Sequence, residues 1–519
     1  IVASRRNYLF VGESIDPNDW QANVTADQIY QRVIDGVHHE DGHIILLHDA
    51  GGSSRKPTLD ALPRIIETLQ HEGYQFISLE QYLGMNKQTL MPEINKGKAY
   101  YAMQTNLWLA EMIYHVSDFL TALFLVFLAL GMMRLIFMYV LMIREKRAEN
   151  RRNYAPIDAA TAPTVSIIVP GYNEEVNIVR TITTLKQQDY PNLHIYFVDD
   201  GSKDHTLERV HEAFDNDDTV TVLAKKNGGK ASALNYGIAA CRSEYVVCID
   251  ADTQLKNDAV SRLMKHFIAD TEKRVGAVAG NVKVGNQRNM LTYWQAIEYT
   301  SSQNFDRMAY SNINAVTVVP GAIGAFRKEV IEAVGGFTTD TLAEDCDLTM
   351  SINEHGYIIE NENYAVALTE APETLRQFVK QRIRWCFGVM QAFWKHRSSL
   401  FAPSKKGFGL WAMPNMLIFQ YIIPTFSPLA DVLMLIGLFT GNALQIFFYY
   451  LIFLVIDASV SIMAYIFEGE RLWVLLWVIP QRFFYRWIMY YVLFKSYLKA
   501  IKGELQTWGV LKRTGHVKG

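Results

Sequence analysis

Two long apolar blocks interrupt an otherwise mixed sequence. In the first, the stretch from Phe119 to Met133 contains no charged residue, and after Arg134 the apolar pattern continues to Ile143. About 25 residues of this kind are enough to cross the ~30 Å hydrocarbon core of a bilayer. The alternative is a buried core helix, but such helices rarely stay apolar for so long. The pattern therefore predicts a transmembrane helix over residues 113–143.

The second apolar block follows near the end of the chain. Over residues 407–467 the charged side chains are Asp431 and Asp457, and a further apolar run begins at Leu472. The block is long enough for three or four crossings. We therefore expect a membrane bundle over residues 408–498.

Basic clusters next to the apolar blocks indicate their orientation. Residues 144–152 carry an excess of Lys and Arg, and so does the tail over residues 499–519. By the positive-inside rule both lie in the cytoplasm, which places residues 1–112 outside and requires an even number of crossings in the bundle. The sequence opens at Ile1 without a signal-peptide pattern, and we expect its natural start further upstream.

Between the apolar blocks, residues 150–372 alternate runs rich in β-branched and aromatic residues with helical patterns. The runs predict strands at 165–169, 193–198, 220–223 and 245–249, with helices near 174–187, 204–214 and 230–240. Strands separated by one helix each indicate right-handed βαβ units and a buried, mostly parallel sheet. The amphipathic stretch that follows, residues 373–407, predicts helices at the membrane interface.

Polar side chains follow three of the predicted strands, at the point where each strand ends: Tyr172, Asn173 and Glu174; Asp199 and Asp200; Asp250 and Asp252. The carboxyl ends of parallel strands share one edge of the sheet, where ligands bind. A single acidic pair there is as often a helix cap or a solvated loop. Three successive polar strand ends favour a ligand site.

The chemistry of these side chains suits a nucleotide with a metal ion. Asp250 and Asp252 offer two hard oxygen ligands for Mg²⁺ or Mn²⁺ shared with substrate phosphates. Asp199 and Asp200 can accept hydrogen bonds from a base N–H or from ribose hydroxyls. Two glycines before Lys230 add backbone N–H groups and a cation that suit a diphosphate.

Two later motifs have both a structural and a catalytic interpretation. Glu344 and Asp345 precede a helical run, so a carboxylate there is either a helix cap or a general base beside a sugar acceptor. Gln381, Arg384 and Trp385 lie in the amphipathic stretch. Arg384 suits a pyrophosphate and Trp385 a sugar ring, although an interfacial helix would carry the same residue types for membrane anchoring.

Composition excludes several classes of protein. The 519 residues contain 50 Lys+Arg and 53 Asp+Glu, and a net charge of −3 argues against nucleic-acid binding. Four cysteines exclude a disulfide scaffold, and all of them fall in the region predicted to be cytoplasmic. The length suggests about three domain-sized units.

Taken in order, these motifs resemble the processive family 2 membrane glycosyltransferases, a group that includes chitin, hyaluronan, poly-N-acetylglucosamine and cellulose synthases. The resemblance covers residues 160–400 and the apolar block after them, and it also rests on Pro320-Gly321. It implies a GT-A fold, an α/β cytoplasmic domain with a Rossmann-like mixed sheet, coupled to an α-helical transmembrane bundle. Such a protein makes a β-linked polysaccharide and extrudes it.

The resemblance also implies a role for each motif. Nucleotide binding falls to Tyr172, Asn173, Glu174, Asp199, Asp200, Lys230 and Asp250, and metal binding to Asp250 and Asp252. Asp345 is the implied catalytic base, with Glu344 beside it, and Gln381, Arg384 and Trp385 floor the acceptor site. In the tail, Trp508 and Arg513 are candidates for a gating or nucleotide-contacting role.

Residues 1–90 resemble the last part of a polysaccharide deacetylase domain, a small partial α/β segment. The resemblance rests on Asp16-Pro-Asn-Asp19, on the run ending at His48, and on a closing helix and strand between Leu59 and Ile77. It implies that His48 is the remnant of a general acid. The metal-binding and base motifs are not found, so we expect this segment to be inactive in the present sequence. A deacetylase joined to a synthase still favours a polymer that carries N-acetyl groups.

We therefore expect a processive, inverting transferase that polymerises N-acetylglucosamine from UDP-GlcNAc and moves the product across a bacterial-type inner membrane. Its expected cofactor is Mg²⁺ or Mn²⁺, and its expected partners are the UDP-sugar, the growing polysaccharide and the bilayer, with room for an accessory membrane subunit and no nucleic acid. Three alternatives stay open: a hyaluronan-type synthase that also uses UDP-GlcA, a non-processive lipid-linked sugar transferase, and a transporter with a nucleotide-sensing domain. The linkage, β-1,4 or β-1,6, also stays open.

Overall fold

The computed structural model describes residues 11–39, 44–49, 54–90, 96–152, 154–438, 443–502 and 515. The chain divides into two compact units, Ile1–Leu120 and Thr121–Gly519.

The first unit is mainly helical. Its helices are α1 (Ala26–His39), α2 (Lys56–His71), α3 (Leu79–Leu83), α4 (Lys87–Leu90) and the start of α5 (Lys98–Arg151). The apolar faces of α1 and α2 enclose a small core around Ile29, Val33 and Ile65. Among the described residues of this unit, the β structure is an isolated parallel bridge between Ile15 and Ile45.

One expectation for this unit is wrong. Residues 74–77 form no strand, and Phe76 and Ile77 are exposed. A strand is stable only beside neighbouring strands, and the described part of the unit supplies no sheet for this segment to join. The predicted helix before it is present as α2.

The second unit is built on one eight-stranded mixed sheet with the spatial order β3-β2-β1-β4-β7-β6-β8-β5. The strands are β1 (Val165–Gly171), β2 (Leu193–Asp199), β3 (Val220–Ala224), β4 (Tyr245–Cys248), β5 (Gln254–Leu255), β6 (Val275–Val284), β7 (Gly324–Arg327) and β8 (Ile358–Thr369). The pairings β1–β2, β1–β4, β2–β3 and β6–β8 are parallel, while β4–β7, β6–β7 and β5–β8 are antiparallel.

The four predicted strands are confirmed as β1 to β4. Every residue of β1 is buried, as expected for a central strand covered by helices on both faces. The predicted helices between these strands are α6 (Ile178–Lys186), α7 (Thr206–Phe214) and α8 (Lys230–Ala240). The first of these begins later than predicted because Asn173 turns the chain through a left-handed conformation, with φ of 57°.

The rest of the second unit adds helices around the antiparallel half of the sheet. They are α9 (Ala259–Ala269), α10 (Met290–Glu298), α11 (Phe305–Ser311), α12 (Lys328–Ala333), α13 (Glu344–Glu354) and α14 (Leu375–Lys395). A π-helical turn, Tyr299–Asn304, joins α10 to α11. The predicted amphipathic stretch is observed as α14 followed by 3₁₀ turns at Arg397–Ser399 and Pro403–Lys405.

The apolar blocks are helical. Besides α5, they form α15 (Met413–Asn415), α16 (Ile423–Leu438), α17 (Ala443–Glu468) and α18 (Val478–Lys502), with π-helical or 3₁₀ turns at Phe408–Ala412, Met416–Ile422 and Leu472–Trp477. The predicted crossing at 113–143 lies inside the longer α5, because the Arg, Glu, Lys and Ala residues that follow it are strong helix formers. Within the described ranges, one helix, Tyr100–Arg151, is long and apolar enough to span a membrane.

Candidate active site

A cavity of about 760 Å³ opens at the carboxyl ends of β1, β2 and β4. Most of the predicted site residues line it: Tyr172, Glu174, Asp200, Lys230, Asp250, Asp252, Glu344, Asp345, Gln381, Arg384 and Trp385. The cavity continues to helical residues beyond the sheet, including Asn415, Tyr421 and Arg486. Groups that are more than 300 residues apart in sequence thus line one cavity.

Asp199 ends β2 and has one satisfied and one unsatisfied carboxylate oxygen. Its Oδ2 accepts backbone hydrogen bonds from Gly201 and Ser202, each at 3.1 Å. Its Oδ1 is buried and has no hydrogen-bond partner among the described residues. A buried acceptor without a partner is unfavourable, so Oδ1 is prepared for a donor on a ligand.

Asp200 holds the glycine-rich loop in front of α8. It accepts backbone hydrogen bonds from Gly228 at 3.0 Å and Gly229 at 2.7 Å, and it forms an ion pair with Lys225 at 2.7 Å. The N–H groups expected to face a diphosphate are therefore directed at Asp200. The carboxylate fixes the loop that leads to Lys230.

The turn after β1 is tied to the turn after β2. The backbone N–H of Asn173 donates to Ser202 at 3.0 Å, and that of Glu174 donates to Thr206 at 2.8 Å. The Asn173 side chain accepts a hydrogen bond from the backbone of Lys203 at 2.8 Å. Asn173 therefore shapes the site, while its neighbours face the cavity.

Lys230 joins the predicted metal-binding and catalytic motifs. Its Nζ lies 2.5 Å from Asp250 Oδ1 and 3.1 Å from Glu344 Oε1. Burial lowers the pKa of Lys230, but the attraction of Asp250 and Glu344 outweighs burial and raises it above its ordinary value. Gly321 leaves room for this cation, because a Cβ there would lie 2.5 Å from Nζ.

Two carboxylates on the cavity suit a divalent cation. Asp250 is partly exposed, and Asp252 is 4% exposed. No group of three His, Cys, Asp or Glu residues that could hold an ion occurs in the described part of the chain. Mg²⁺ in phosphate-transfer sites is usually held by one or two carboxylates together with substrate phosphates, and this pair fits that pattern.

Asp345 is half-buried at the start of α13. Its Oδ2 accepts the backbone N–H of Gly321 at 3.2 Å, and its Oδ1 accepts that of Cys346 at 2.8 Å. Burial and the neighbouring Glu344 raise the pKa of Asp345 to about 6, although Lys230 opposes them. A carboxylate with such a pKa is suited to take a proton near neutral pH.

The motif on α14 contains a residue that the sequence analysis missed. Arg382 is buried, forms an ion pair with Glu298 at 2.7 Å, and lies with its guanidinium 4.4 Å from the ring centre of Trp385. Tyr485 of α18 also donates to Glu298. The guanidinium of Arg382 thus packs against the ring of Trp385, and through Glu298 and Tyr485 it links α14 to α10 and α18. In sequence, Arg382 looks the same as the other charged residues of this amphipathic stretch, so its buried position could not be predicted.

A second cluster that the sequence analysis missed fixes α13 against the end of α14. Asp347 lies 3.0 Å from His396 Nε2 and 2.9 Å from Lys395 Nζ, and Glu354 lies 2.8 Å from His396 Nδ1. Burial lowers the pKa of His396, but these hydrogen bonds outweigh burial and raise it to about 9. The clamp Asp347–His396–Glu354 therefore holds the helix of Asp345 to the helix of Trp385.

Two predicted residues, Trp508 and Arg513, lie outside the described residues. Beyond Lys502, the described part of the tail is Gly515. Its backbone N–H donates to Glu370 at 3.0 Å, and Glu370 lines the cavity.

In the first unit, Asp19 and His48 are paired. Asp19 accepts hydrogen bonds from the His48 backbone at 3.0 Å and from Thr58 at 2.9 Å, and it lies 2.7 Å from His48 Nδ1. Sequence analysis named both motifs without pairing them.

Comparisons with known proteins show what the chain is similar to. Residues 166–335 match the glycosyl transferase family 2 profile. Poly-β-1,6-N-acetyl-D-glucosamine synthase from Staphylococcus epidermidis is 32% identical over 260 residues, which is 49% of this chain and 62% of the relative. The enzyme of the same name from Staphylococcus aureus strain COL is 33% identical over 224 residues, 43% of this chain and 54% of the relative. The chain thus spans less than two thirds of the length of these relatives.

Among solved structures, a mannosyltransferase from Pyrobaculum calidifontis in complex with GDP-Man and Mn²⁺ matches with a TM-score of 0.48 and 23% identity. The match covers 67% of this chain and 95% of that structure.

Proposed function

We propose that this chain, which carries a family 2 glycosyltransferase domain and is homologous to poly-β-1,6-N-acetylglucosamine synthases, polymerises N-acetylglucosamine from UDP-GlcNAc into a β-linked polysaccharide. The observation that carries the proposal is the single cavity in which Asp345, the Asp250–Asp252 pair and the Gln381–Trp385 motif meet. The activity of the relatives, poly-β-1,6-N-acetyl-D-glucosamine synthases by name, supports GlcNAc as the sugar and β-1,6 as the linkage.

In this proposal the donor binds along the ends of β1, β2 and β4. The unsatisfied Oδ1 of Asp199 accepts the uracil N–H, and Asp200 keeps the loop before Lys230 in place. Asp250 and Asp252 would hold a Mg²⁺ or Mn²⁺ ion, which neutralises the diphosphate charge when bound. Lys230 adds a second positive charge beside Asp250 for the leaving UDP.

Asp345 then acts as the general base. The acceptor hydroxyl gives its proton to the Asp345 carboxylate and attacks C1 of the donor sugar as the bond to UDP breaks, which inverts the configuration at C1. A pKa of about 6 leaves the carboxylate deprotonated at neutral pH. The backbone N–H groups of Gly321 and Cys346 each donate a hydrogen bond to one oxygen of Asp345, and these bonds keep the carboxylate oriented.

The acceptor sugar stacks on Trp385, which Arg382 supports. From there the cavity leads between elements that contribute Tyr421 and Arg486, and we propose this route for the growing chain. We propose that the protein lies in an inner membrane, with the sheet and the tail on the cytoplasmic side. The apolar helix Tyr100–Arg151 supports this proposal, and an accessory subunit is compatible with it. The first unit, with its paired Asp19 and His48, is proposed as an inactive remnant of a deacetylase domain outside.

The test is UDP release by detergent-purified protein supplied with UDP-GlcNAc, UDP-Glc, or UDP-GlcNAc plus UDP-GlcA, each with Mg²⁺ or Mn²⁺. We expect turnover with UDP-GlcNAc alone. Turnover that requires the sugar pair would favour a hyaluronan-type synthase. Asp345→Asn should lower the rate by ~10²-fold or more while UDP binding survives, whereas the exposed Asp218→Asn should change neither. Retained activity in Asp345→Asn would refute this base.

A further inference from the structure

One buried cation on the cavity is left unused by the mechanism above. Arg307 of α11 lines the cavity and is 7% exposed. One of its terminal nitrogens donates to Asn304, and its Nε has no hydrogen-bond partner among the described residues. No carboxylate lies within ion-pairing distance of it in the described ranges.

The two carboxylates whose charges act most strongly on Arg307, Glu468 and Asp306, each form an ion pair with another cation. Asp306 forms its ion pair with Arg134 at 2.9 Å, and Glu468 forms its ion pair with Lys283 at 3.1 Å. Burial accordingly lowers the pKa of Arg307 to about 10, although Glu468, Asp306 and Asp345 oppose this shift. A buried charge without a partner is unfavourable. The presence of Arg307 on this cavity therefore indicates that a ligand supplies hydrogen-bond acceptors for its guanidinium.

The position of Arg307 indicates which ligand this is. The donor-binding carboxylates come from the ends of β1, β2 and β4, whereas α11 contacts both strand β8 and the apolar helix α5. There Arg134 of α5 bonds to Asp306 and to Asn415, which also lines the cavity. Asp306, the neighbour of Arg307 in α11, is thus linked through Arg134 to a residue of the apolar block that lines the same cavity, the block through which the product would leave.

A second polar atom on the cavity wall is also buried without a hydrogen-bond partner among the described residues. Gln381 is 7% exposed, and its Oε1 is buried with no hydrogen-bond partner among the described residues. A π-helical turn directly precedes α11, and such turns are frequent at functional sites. A glycan offers both hydroxyl donors and hydroxyl or N-acetyl carbonyl acceptors, so one sugar chain can satisfy Gln381 and Arg307.

We propose that Arg307 forms a binding subsite for the growing glycan, in which its guanidinium donates hydrogen bonds to sugar hydroxyl or N-acetyl oxygens beyond the acceptor position at Trp385. The subsite deepens the proposed function and rests on it. Its role is to hold the product between addition steps, so its loss lowers glycan affinity and product length without affecting the nucleotide.

The first experiment measures binding without turnover. Calorimetry with a soluble β-linked GlcNAc oligosaccharide, and separately with UDP, compares the wild type with Arg307→Met and the control Arg274→Met, whose side chain is 64% exposed. We expect Arg307→Met to weaken oligosaccharide binding about 10- to 100-fold, as for loss of a charged hydrogen-bond donor. Its UDP affinity should stay within about twofold of the wild type, and Arg274→Met should match the wild type for both ligands. Equal weakening of both ligands would place Arg307 on the donor and overturn the subsite, as would unchanged oligosaccharide binding.

The second experiment uses activity and separates binding from a structural role. Arg307→Ala should give shorter polymer from UDP-GlcNAc, and added ethylguanidinium should restore length by entering the vacated space. Shorter polymer without rescue, together with a lower unfolding temperature, would assign Arg307 a purely structural role and refute the proposal. If the wild type shows no turnover with any donor, the proposed function fails, while the calorimetry still decides whether a glycan binds at Arg307.

Discussion

The clamp Asp347–His396–Glu354 allows a quantitative prediction about pH and stability. His396 is 5% exposed, and its hydrogen bonds to Asp347 and Glu354 raise its pKa from 6.5 to about 9. At about 1.4 kcal/mol for each pKa unit, protonated His396 contributes about 3 kcal/mol to folding. The lowered pKa of Asp347, about 2, reflects the same contacts from the other side and is not added.

The sign of the pH dependence follows from the raised pKa. Because folding raises the pKa, the stabilisation is fully present below pH 6.5 and is lost as the pH rises through about 9. His396→Asn should therefore lower the free energy of unfolding by about 3 kcal/mol at pH 6 and by much less at pH 9.5. His266 has a similar pKa and contributes its own pH dependence, so the difference between variant and wild type is the quantity to measure.

Denaturant titration of detergent-purified protein, followed by tryptophan fluorescence at pH 6 and pH 9.5, measures this difference. His355→Asn is the matched control, since His355 is exposed and bonds to a carbonyl of its own helix. The clamp also holds the helix of Asp345, so kcat should fall in His396→Asn while UDP affinity is retained. A stability difference of the same size at both pH values would refute the electrostatic reasoning.

Three further predictions concern the site itself. Because Asp345 must be deprotonated and its pKa is raised to about 6, kcat should rise with pH through about 6 and then level off; a flat profile between pH 5 and 7 would contradict its role as the base. Asp199→Asn should weaken UDP binding about 10- to 100-fold in calorimetry, because both carboxylate positions need an acceptor and the amide supplies only one. Gly388→Ala places a Cβ 2.7 Å from the backbone N of Ala343, just before the catalytic helix, and should lower kcat about 10-fold or more with a loss of ~1–3 kcal/mol of stability. Gly131→Ala, which meets nothing within 4 Å, should leave the rate of UDP release unchanged. Equal rates in both glycine variants would argue that the close approach of Gly388 to Ala343 does not matter for catalysis.

The first half of the sheet was predictable because local sequence determines it. Strands β1 to β4 are short, apolar and separated by single helices, and the polar residues at their ends meet at one edge as parallel topology requires. The antiparallel half was not predicted. Strands β6 to β8 are separated by longer segments, and their order in the sheet depends on contacts distant in sequence.

The site could be predicted as a set of motifs but not as a network. The resemblance in motif order indicated Asp345 and Trp385. Arg382, which contacts Trp385, and His396, which holds the helix of Asp345, come to the site only through packing between helices, and so does Arg307. A buried arginine and a helix-terminal histidine look the same in sequence as solvated ones. The prediction of a closing strand in the first unit was wrong for the opposite reason. The local sequence pattern of a strand is present, but the described part of the unit has no neighbouring strand for it to pair with.

The most direct test of the central claim is analysis of the product made from radiolabelled UDP-GlcNAc by the purified wild type, with Asp345→Asn as control. The account predicts a labelled polymer that a β-1,6-hexosaminidase degrades, that chitinase leaves intact, and that the variant does not make. A polymer that only chitinase degrades would contradict the β-1,6 linkage. Transfer of a single sugar without polymer, or equal product from Asp345→Asn, would contradict the account as a whole.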